Sequence, residues 1–299
     1  FGMLACGSDP AENKASTPLD TAEAPAADPA ELGPYSVGTE AFRITGRTGV
    51  ELLVQVWYPT QRTDGRLYSY LGAYTGLAQD APAPDCEQSR PLVAFSHGNT
   101  GTRWQSTFLT EHLASQGFVV VAPDHTGNTS FDDDTSRKPE LIFRRPWDIS
   151  DSVDHLFSAA DGVIPGLSDC MDPEAGFAIS GHSFGGYTTM ALAGGRYDSV
   201  ATAEYCEDYD WWLCEDALSR TEPDSELSGT DDRVWAAVPM APAGYEVLIG
   251  GLSEVTAPVM VLGGSKDELT PMEWQVGPIY DGLRSSPRML GSLTDAGHF

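Results

Sequence analysis

The chain has 299 residues, 41% of them hydrophobic, which is enough to bury a large core in one α/β domain with a tail to spare, and leaves two domains as the second option. Its 44 acidic residues against 17 basic ones give a formal charge of -27, which argues against nucleic acid and anionic membrane as partners, because a phosphate backbone requires a basic patch. An acidic shell of this kind serves solubility and says nothing about fold.

Residues 1–34 differ in composition from the rest of the chain. Met3-Leu4-Ala5-Cys6-Gly7 resembles the end of a bacterial lipoprotein signal, in which the cysteine becomes the lipidated first residue, although leucine usually stands where this chain has Met3. After Cys6 comes a stretch rich in Ala, Pro, Asp, Glu and Ser that cannot bury enough apolar surface to fold, so it is expected to be a disordered tether. The chain opens without an initiator methionine, so most of a signal segment is expected to be missing. Export is therefore expected, to the periplasm or the exterior, with two options: a lipid anchor at Cys6 on the outer membrane, or plain secretion. No stretch is long and apolar enough to span a bilayer.

The folded domain is expected over residues 35–299. Residues 41–59 read as a β-hairpin turning between Gly46 and Gly49, with Leu53, Val54, Val56 and Tyr58 as its apolar positions. Residues 73–89 read as a loop before the strand PLVAFSHG, which ends in a glycine turn. WQSTFLTEHLASQG reads as an amphipathic helix with Trp104, Phe108, Leu109 and Leu113 on its apolar side and Gly117 as its stop. FVVVAPDH is a second buried strand. RPWDISDSVDHLFSAADG is helical, with Ile149, Val153, Leu156 and Phe157 facing the core. The strands GFAISGHS, VWAAVPMAP, APVMVLGGSKD and RMLGSLTDAGH come next. Alternation of this kind predicts a mostly parallel sheet with helices on both faces, and chemistry at the carboxyl ends of its strands. Between the helix after Ser183 and the strand VWAAVPMAP, residues 197–233 form an acidic insert with Tyr205, Tyr209, Trp211 and Trp212, expected as a structural flap, with a lid as the alternative.

Gly181-His182-Ser183-Phe184-Gly185 matches G-x-S-x-G, which makes a nucleophile elbow when a strand precedes it and a helix comes after, as FAIS and YTTMALAG do here. A serine hydroxyl needs a base held by a carboxylate. Of six histidines, His97 and His182 belong to turns, His112 and His155 to helices, and His125 precedes the serine; His298 alone comes after it, just past the last strand. Asp267 directly follows the strand VMVLGG and completes the chain order Ser, Asp, His; Asp295 is its rival, near His298 in sequence. The backbone N–H groups of Phe184 and Asn99 are expected to form the oxyanion hole, with Gly98 and Gly101 keeping that loop open. Trp104, His182 and Asn99 are the expected substrate contacts. No cofactor is expected, and a monomer is.

Setting Cys6 aside leaves an even set of cysteines, which in an exported protein suggests two disulfides. Cys206 and Cys214 lie close enough to clip a loop. Cys86 and Cys170 each stand just before a strand, and would meet if those strands are neighbours. No CxxC pair supports a zinc site. The runs Asp132-Asp133-Asp134 and Asp231-Asp232 do not fit an EF-hand loop and read as solvated carboxylates, with structural calcium as the alternative.

SHGNTGTRWQSTFLTEHLASQGFVVVAPDHTGN, RPWDISDSVDHL, GHSFGGYTT and GGSKDELTP together resemble bacterial relatives of platelet-activating factor acetylhydrolases and dienelactone hydrolase-like proteins, over most of residues 43–299. The resemblance implies an α/β-hydrolase fold, Ser183, Asp267 and His298 as the triad, and Asn99 and Phe184 as oxyanion donors. Ser183 departs from true dienelactone hydrolases, whose nucleophile is cysteine. LASQGFVVVAPDHTGNTSFDDDTSR is also similar to cutinase-like polyester hydrolases, with Asn99 where they usually carry an aromatic residue. Members of these families continue past the histidine into another helix, so the C-terminal helix is expected to be missing here. The expected reaction is hydrolysis of a carboxylic ester through an acyl-enzyme, on short-chain acyl esters first and on polyester or lipid esters second. A surface lipoprotein using a hydrolase fold for binding is the alternative outside enzymes.

Overall fold

A computed structural model describes residues 28–299; the expected lipidation site Cys6 and most of the expected tether lie outside them. Ten strands form one sheet in the order β10-β9-β8-β7-β5-β6-β2-β1-β4-β3. The strands are β1 (Ser36–Thr45), β2 (Glu51–Thr60), β3 (Leu67–Tyr70), β4 (Tyr74–Asp80), β5 (Leu92–Ser96), β6 (Val119–Pro123), β7 (Phe177–His182), β8 (Val234–Met240), β9 (Val259–Gly264) and β10 (Arg288–Leu293). From β6 to β10 each neighbouring pair is parallel, while β1 and β2 form the expected antiparallel hairpin with Thr45 opposite Glu51.

Side chains alternate across the sheet. In β5, Leu92 and Ala94 join one core with Val119 and Val121 of β6, while Val93 and Phe95 join a second core with Val120 and Ala122. Helix α2 (Lys138–Ala159) packs on the first face through Ile149, Val153 and Leu156, with Phe157 partly buried, and α3 (Phe184–Leu192) joins it there. Helix α1 (Thr107–Ser115) covers the second face. This is the mostly parallel, two-faced sheet that the alternation predicts and the α/β-hydrolase architecture that the resemblance implies.

Three sequence expectations need correction. Residues 73–89 are not simply a loop, because β4 lies within them and pairs with β1 and β3. That hairpin turns α1. Phe108 is 76% exposed, while Trp104, Leu109 and Leu113 pack against the second core as expected and the residues the helix buries fully are Thr110, Glu111, Ala114 and Ser115. The cause is Glu111, whose carboxylate accepts from the Leu77 and Ala78 N–H groups of β4 and from the Tyr70 hydroxyl at 2.7 Å. A carboxylate that satisfies a strand's free donors sets the buried face ahead of a phenylalanine. Third, α2 begins at Lys138 and runs through Pro146, so it holds about two turns more than the expected start at Arg145 suggests.

The insert forms α4 (Ser199–Asp208) and α5 (Cys214–Leu218), clipped by the Cys206–Cys214 disulfide. It reaches the residue after Ser183: the Trp212 ring packs edge-on against Phe184 at 5.3 Å between centroids. Because β5 and β7 are neighbours, Cys86 and Cys170 also meet, in a second disulfide. Among the described residues no helix is long and apolar enough to cross a membrane.

Candidate active site

Ser183 sits between the end of β7 and the start of α3 with φ 59° and ψ -117°. That is a left-handed conformation costing a non-glycine residue about 1–3 kcal/mol, held only where its surroundings leave no alternative. The constraint is visible. Ser183 N–H donates to the Met240 carbonyl at 2.9 Å, and its own carbonyl accepts from Gly186 and Ala243 at 2.8 and 3.1 Å. A Cβ on Gly181 would collide with the Gly185 carbonyl, and one on Gly185 with the Ser96 carbonyl, so both motif glycines answer to close backbone approach. Phe184 supplies the first N–H of α3, which helix geometry leaves without an intrahelical partner. Its side chain is buried in the core beneath.

His298, Asp267 and Asn99 follow β10, β9 and β5, so all four positions collect at the carboxyl edge of the parallel strands. His298 Nδ1 lies 2.7 Å from Asp267 Oδ2. The carboxylate can only accept there, so Nδ1 carries the proton and Nε2 is left as an acceptor. Asp267 is held from its own loop: Oδ1 accepts from the Leu269 and Thr270 N–H groups at 2.9 and 2.8 Å, and Oδ2 from the Thr270 hydroxyl at 2.8 Å. Burial alone would raise this carboxyl, but the hydrogen bonds from Thr270 and His298 outweigh it and hold its pKa below the usual carboxylate value. Asp295 is engaged elsewhere, 2.7 Å from Lys266 Nζ.

Asn99 follows Gly98, whose ideal Cβ position would stand 3.3 Å from the Ser183 Cβ, so this loop runs alongside the serine. The Asn99 side-chain oxygen accepts from Asn128 Nδ2 at 2.9 Å. Asn128 is in turn held by Arg145 Nη1 at 2.6 Å. The guanidinium of Arg145 is fully buried; it also donates to Thr188 Oγ1 and the His97 carbonyl and lies 4.4 Å from the Phe184 ring centroid. One side chain of α2 therefore braces the Asn99 loop and the start of α3 from beneath.

His182 is directed at the histidine of the pair. Its Nε2 is 2.7 Å from the His298 carbonyl, and the two rings are 4.6 Å apart. Gln105 lies 2.9 Å from His182 Nδ1. Trp104 is placed differently: it packs against the second core, donates from Nε1 to Gln55 at 3.0 Å and carries the Arg103 guanidinium 3.6 Å from its ring centroid. With Leu71, Thr129 and Phe131 it borders a cleft of about 440 Å³ that none of Ser183, Asp267 and His298 lines.

The acidic run is used locally. Asp132 accepts from the N–H groups of Gly127 and Thr129, Asp133 from Asn128, and Asp134 caps the turn Thr135–Arg137. Sequence reasoning passed over Arg145, Asn128, Thr270 and Gln105. Only Thr270 had a signal, since an aspartate followed closely by a threonine in a loop is a common turn whose carboxylate accepts the next N–H groups.

Comparison with known proteins gives three kinds of relative. The family model of platelet-activating factor acetylhydrolase, isoform II, matches residues 69–138. Cutinase est1 of Thermobifida alba is 27% identical over 208 residues, 69% of this chain and 53% of that protein, and a cutinase of Thermobifida fusca (strain YX) is 27% identical over the same share of this chain and 52% of its own length. A bis(hydroxyethyl) terephthalate hydrolase of Streptomyces coelicolor is 25% identical over 296 residues, 97% of this chain and 69% of that protein. The chain thus spans about half the length of these cutinases. In fold and in sequence it resembles the α/β-hydrolase esterases, cutinase-like polyester hydrolases among them.

Proposed function

We propose that the chain is a serine carboxylic-ester hydrolase, with Ser183 as nucleophile, His298 as base and Asp267 as the carboxylate that orients it. The observation that carries this reading is the strained Ser183 elbow at the sheet edge that also holds a histidine whose Nδ1 is fixed on Asp267 and whose Nε2 is left to accept. His298 Nε2 takes the hydroxyl proton as Ser183 Oγ bonds to the ester carbonyl carbon, and the carbonyl oxygen becomes an anion facing the Phe184 and Asn99 N–H groups. Collapse breaks the bond to the alcohol oxygen, which leaves with the proton from His298. Water then enters by the same route in reverse, releasing the acid and restoring the serine. Asp267 stabilises the imidazolium in both halves.

Short-chain acyl esters remain the first substrate class. The terephthalate hydrolase relative, which aligns with nearly the whole chain, favours a second: small aromatic diesters and the polyesters built from them. Two disulfides support export, since such bonds persist in oxidising compartments; anchoring at Cys6 belongs to the same proposal. The test compares p-nitrophenyl acetate, butyrate and longer esters with bis(hydroxyethyl) terephthalate, for the wild type and Ser183→Ala. We expect turnover that falls with acyl length and disappears in the variant. Equal slow turnover by both proteins would sink the esterase reading, and a preference for the terephthalate ester would move the substrate to the second class.

A further inference from the structure

The loop that carries Asn99 and the segment that carries His298 are joined by two side chains that the triad does not include. Gly98 N–H donates to Gln105 Oε1 at 2.7 Å, which turns the amide so that its NH₂ group faces His182 Nδ1 at 2.9 Å. An NH₂ group can only donate, so Nδ1 accepts and the His182 proton resides on Nε2, from which it is given to the His298 carbonyl at 2.7 Å. Room for this path is built in. A Cβ on Gly101 would strike the Gln105 amide oxygen, so that glycine keeps the site of the amide clear.

We propose that Gln105 and His182 are positioning residues for the base: a hydrogen-bonded path from Gly98 through Gln105 and His182 to the His298 carbonyl fixes the imidazole relative to the oxyanion loop. The proposal rests on the esterase reading. His298 follows a short loop after β10, and among the described residues the hydrogen bonds of its side chain go to Asp267 and Thr270 of a single loop. His182, adjacent to Ser183, ties the backbone of the base to the elbow itself. The path works with neutral His182, because a proton on Nδ1 would set an N–H against the amide NH₂. Burial, chiefly, holds the His182 pKa below the ordinary histidine value; the hydrogen bond to the His298 carbonyl opposes it, the His298 imidazole charge lowers the pKa further and the Asp267 charge raises it, and among the described residues these two are the titratable groups that face the ring.

The test measures kcat and KM on p-nitrophenyl butyrate for Gln105→Met, His182→Phe, their double variant and His182→Gln, with thermal unfolding of each. Misplacing the base by a fraction of an ångström should lower kcat on the order of tenfold in each single variant, with KM within about twofold. The double variant should be no slower than the slower single one, because both cut the same path. His182→Gln, whose amide offers one acceptor and one donor, should recover most of the rate. Unchanged kcat in both single variants, a loss carried by KM, or losses that multiply in the double variant would overturn the proposal. Gln105→Glu gives a reading that does not depend on how Met is tolerated. Its carboxylate accepts from both Gly98 and a protonated Nδ1, so its rate relative to wild type should rise as pH falls from about 8 to about 5 around the ordinary histidine pKa, and a flat ratio counts against the path. Ser183→Ala in the same assay separates the two ideas. Full activity there removes the esterase reading and this proposal together, whereas loss there with an unaffected Gln105→Met removes this proposal alone.

Discussion

Replacing Asp267 by asparagine should disable the base while leaving the fold in place. The two backbone donors decide which way the new amide faces: Leu269 and Thr270 N–H groups at 2.9 and 2.8 Å require an oxygen where Oδ1 stands, so the NH₂ group takes the place of Oδ2. It then points at His298 Nδ1, 2.7 Å away, and must donate to it. The proton is displaced to Nε2, the nitrogen that has to accept from Ser183. Trapping a triad histidine in the wrong tautomer costs about 10⁴ in kcat, or about 5.4 kcal/mol. The fold loses less. Thr270 Oγ1, which shares its hydrogen between Oδ2 and the Ala241 carbonyl at 3.0 Å, can turn wholly to the latter, so the cost is that of one charge-assisted bond, about 1.5–3 kcal/mol. Steady-state kinetics on p-nitrophenyl butyrate supply kcat and KM, and the ¹⁵N shifts of His298 report its tautomer directly. Because hydrogen bonds hold Asp267 below the usual carboxylate pKa, the acid limb of the wild-type profile should not belong to this carboxyl. A variant that keeps more than about a tenth of wild-type kcat, against the expected 10⁴-fold loss, would refute the reasoning, as would a His298 that still carries its proton on Nδ1.

Two further predictions concern what lies beneath the site. Arg145→Met leaves Asn128 Oδ1 and the His97 carbonyl without their buried donor, at about 1–3 kcal/mol each, partly offset by relief of a buried charge, so a net loss of about 2–4 kcal/mol is expected in urea unfolding. The same change removes a cation that lowers Asp148, whose carboxyl burial already pushes up to about 7. A carboxyl with a raised folded pKa binds its proton more tightly in the native state, so stability is greatest below the unfolded pKa and declines as pH rises to the folded one. The variant's deficit should therefore be larger at pH 8 than at pH 6, and a deficit independent of pH would remove Asp148 from the explanation. The disulfides should rank by loop length: a sequence separation of 84 at Cys86–Cys170 corresponds to about 4.6 kcal/mol of closure entropy, against about 2.5 for the separation of 8 at Cys206–Cys214. Unfolding of each Cys→Ala pair in urea checks this, and the reverse ranking would show that native contacts, not chain entropy, set the difference.

The parts of the site legible in the sequence are those whose chemistry leaves a local mark. G-x-S-x-G between a strand and a helix announces the elbow because only glycine fits where Gly181 and Gly185 meet neighbouring carbonyls. Asp267 could be found because it closely follows an apolar strand, and His298 because it alone of the histidines comes after the serine, in the loop past the last strand; a parallel sheet brings such positions to one edge. Cys86 and Cys170 could be paired because they precede strands that are neighbours. The hairpin of β3 and β4 was not legible: its sequence, LYSYLGAYTGLAQD, lacks steady alternation and owes part of its pairing to Glu111, distant in sequence. Phe108 was misplaced for the same reason. Arg145 and Gln105 left no mark because a polar residue in a helical stretch ordinarily faces water, and only the tertiary fold makes them buried or half-buried donors.

This division bears on how the elbow keeps its strain. The conformation of Ser183 is fixed from within by backbone: a donor to Met240, acceptors for Gly186 and Ala243, and two glycines with no room for a side chain. The motif records the two glycines and the Gly186 contact, while Met240 and Ala243 come from the end of β8 and the loop after it. The base and the oxyanion loop have no such internal fixing, since His298 and Asn99 lie on separate loops after different strands. Their alignment depends on side chains that cross between elements, Arg145 from below and Gln105 with His182 alongside the serine. Nucleophile geometry should therefore survive changes that impair turnover. Trapping with a phosphonate that bonds covalently to the serine separates the two, because an intact elbow is still labelled to completion when the base is displaced, only more slowly. Complete but slowed labelling of Gln105→Met is the expected result, and incomplete labelling would place the damage at the elbow itself.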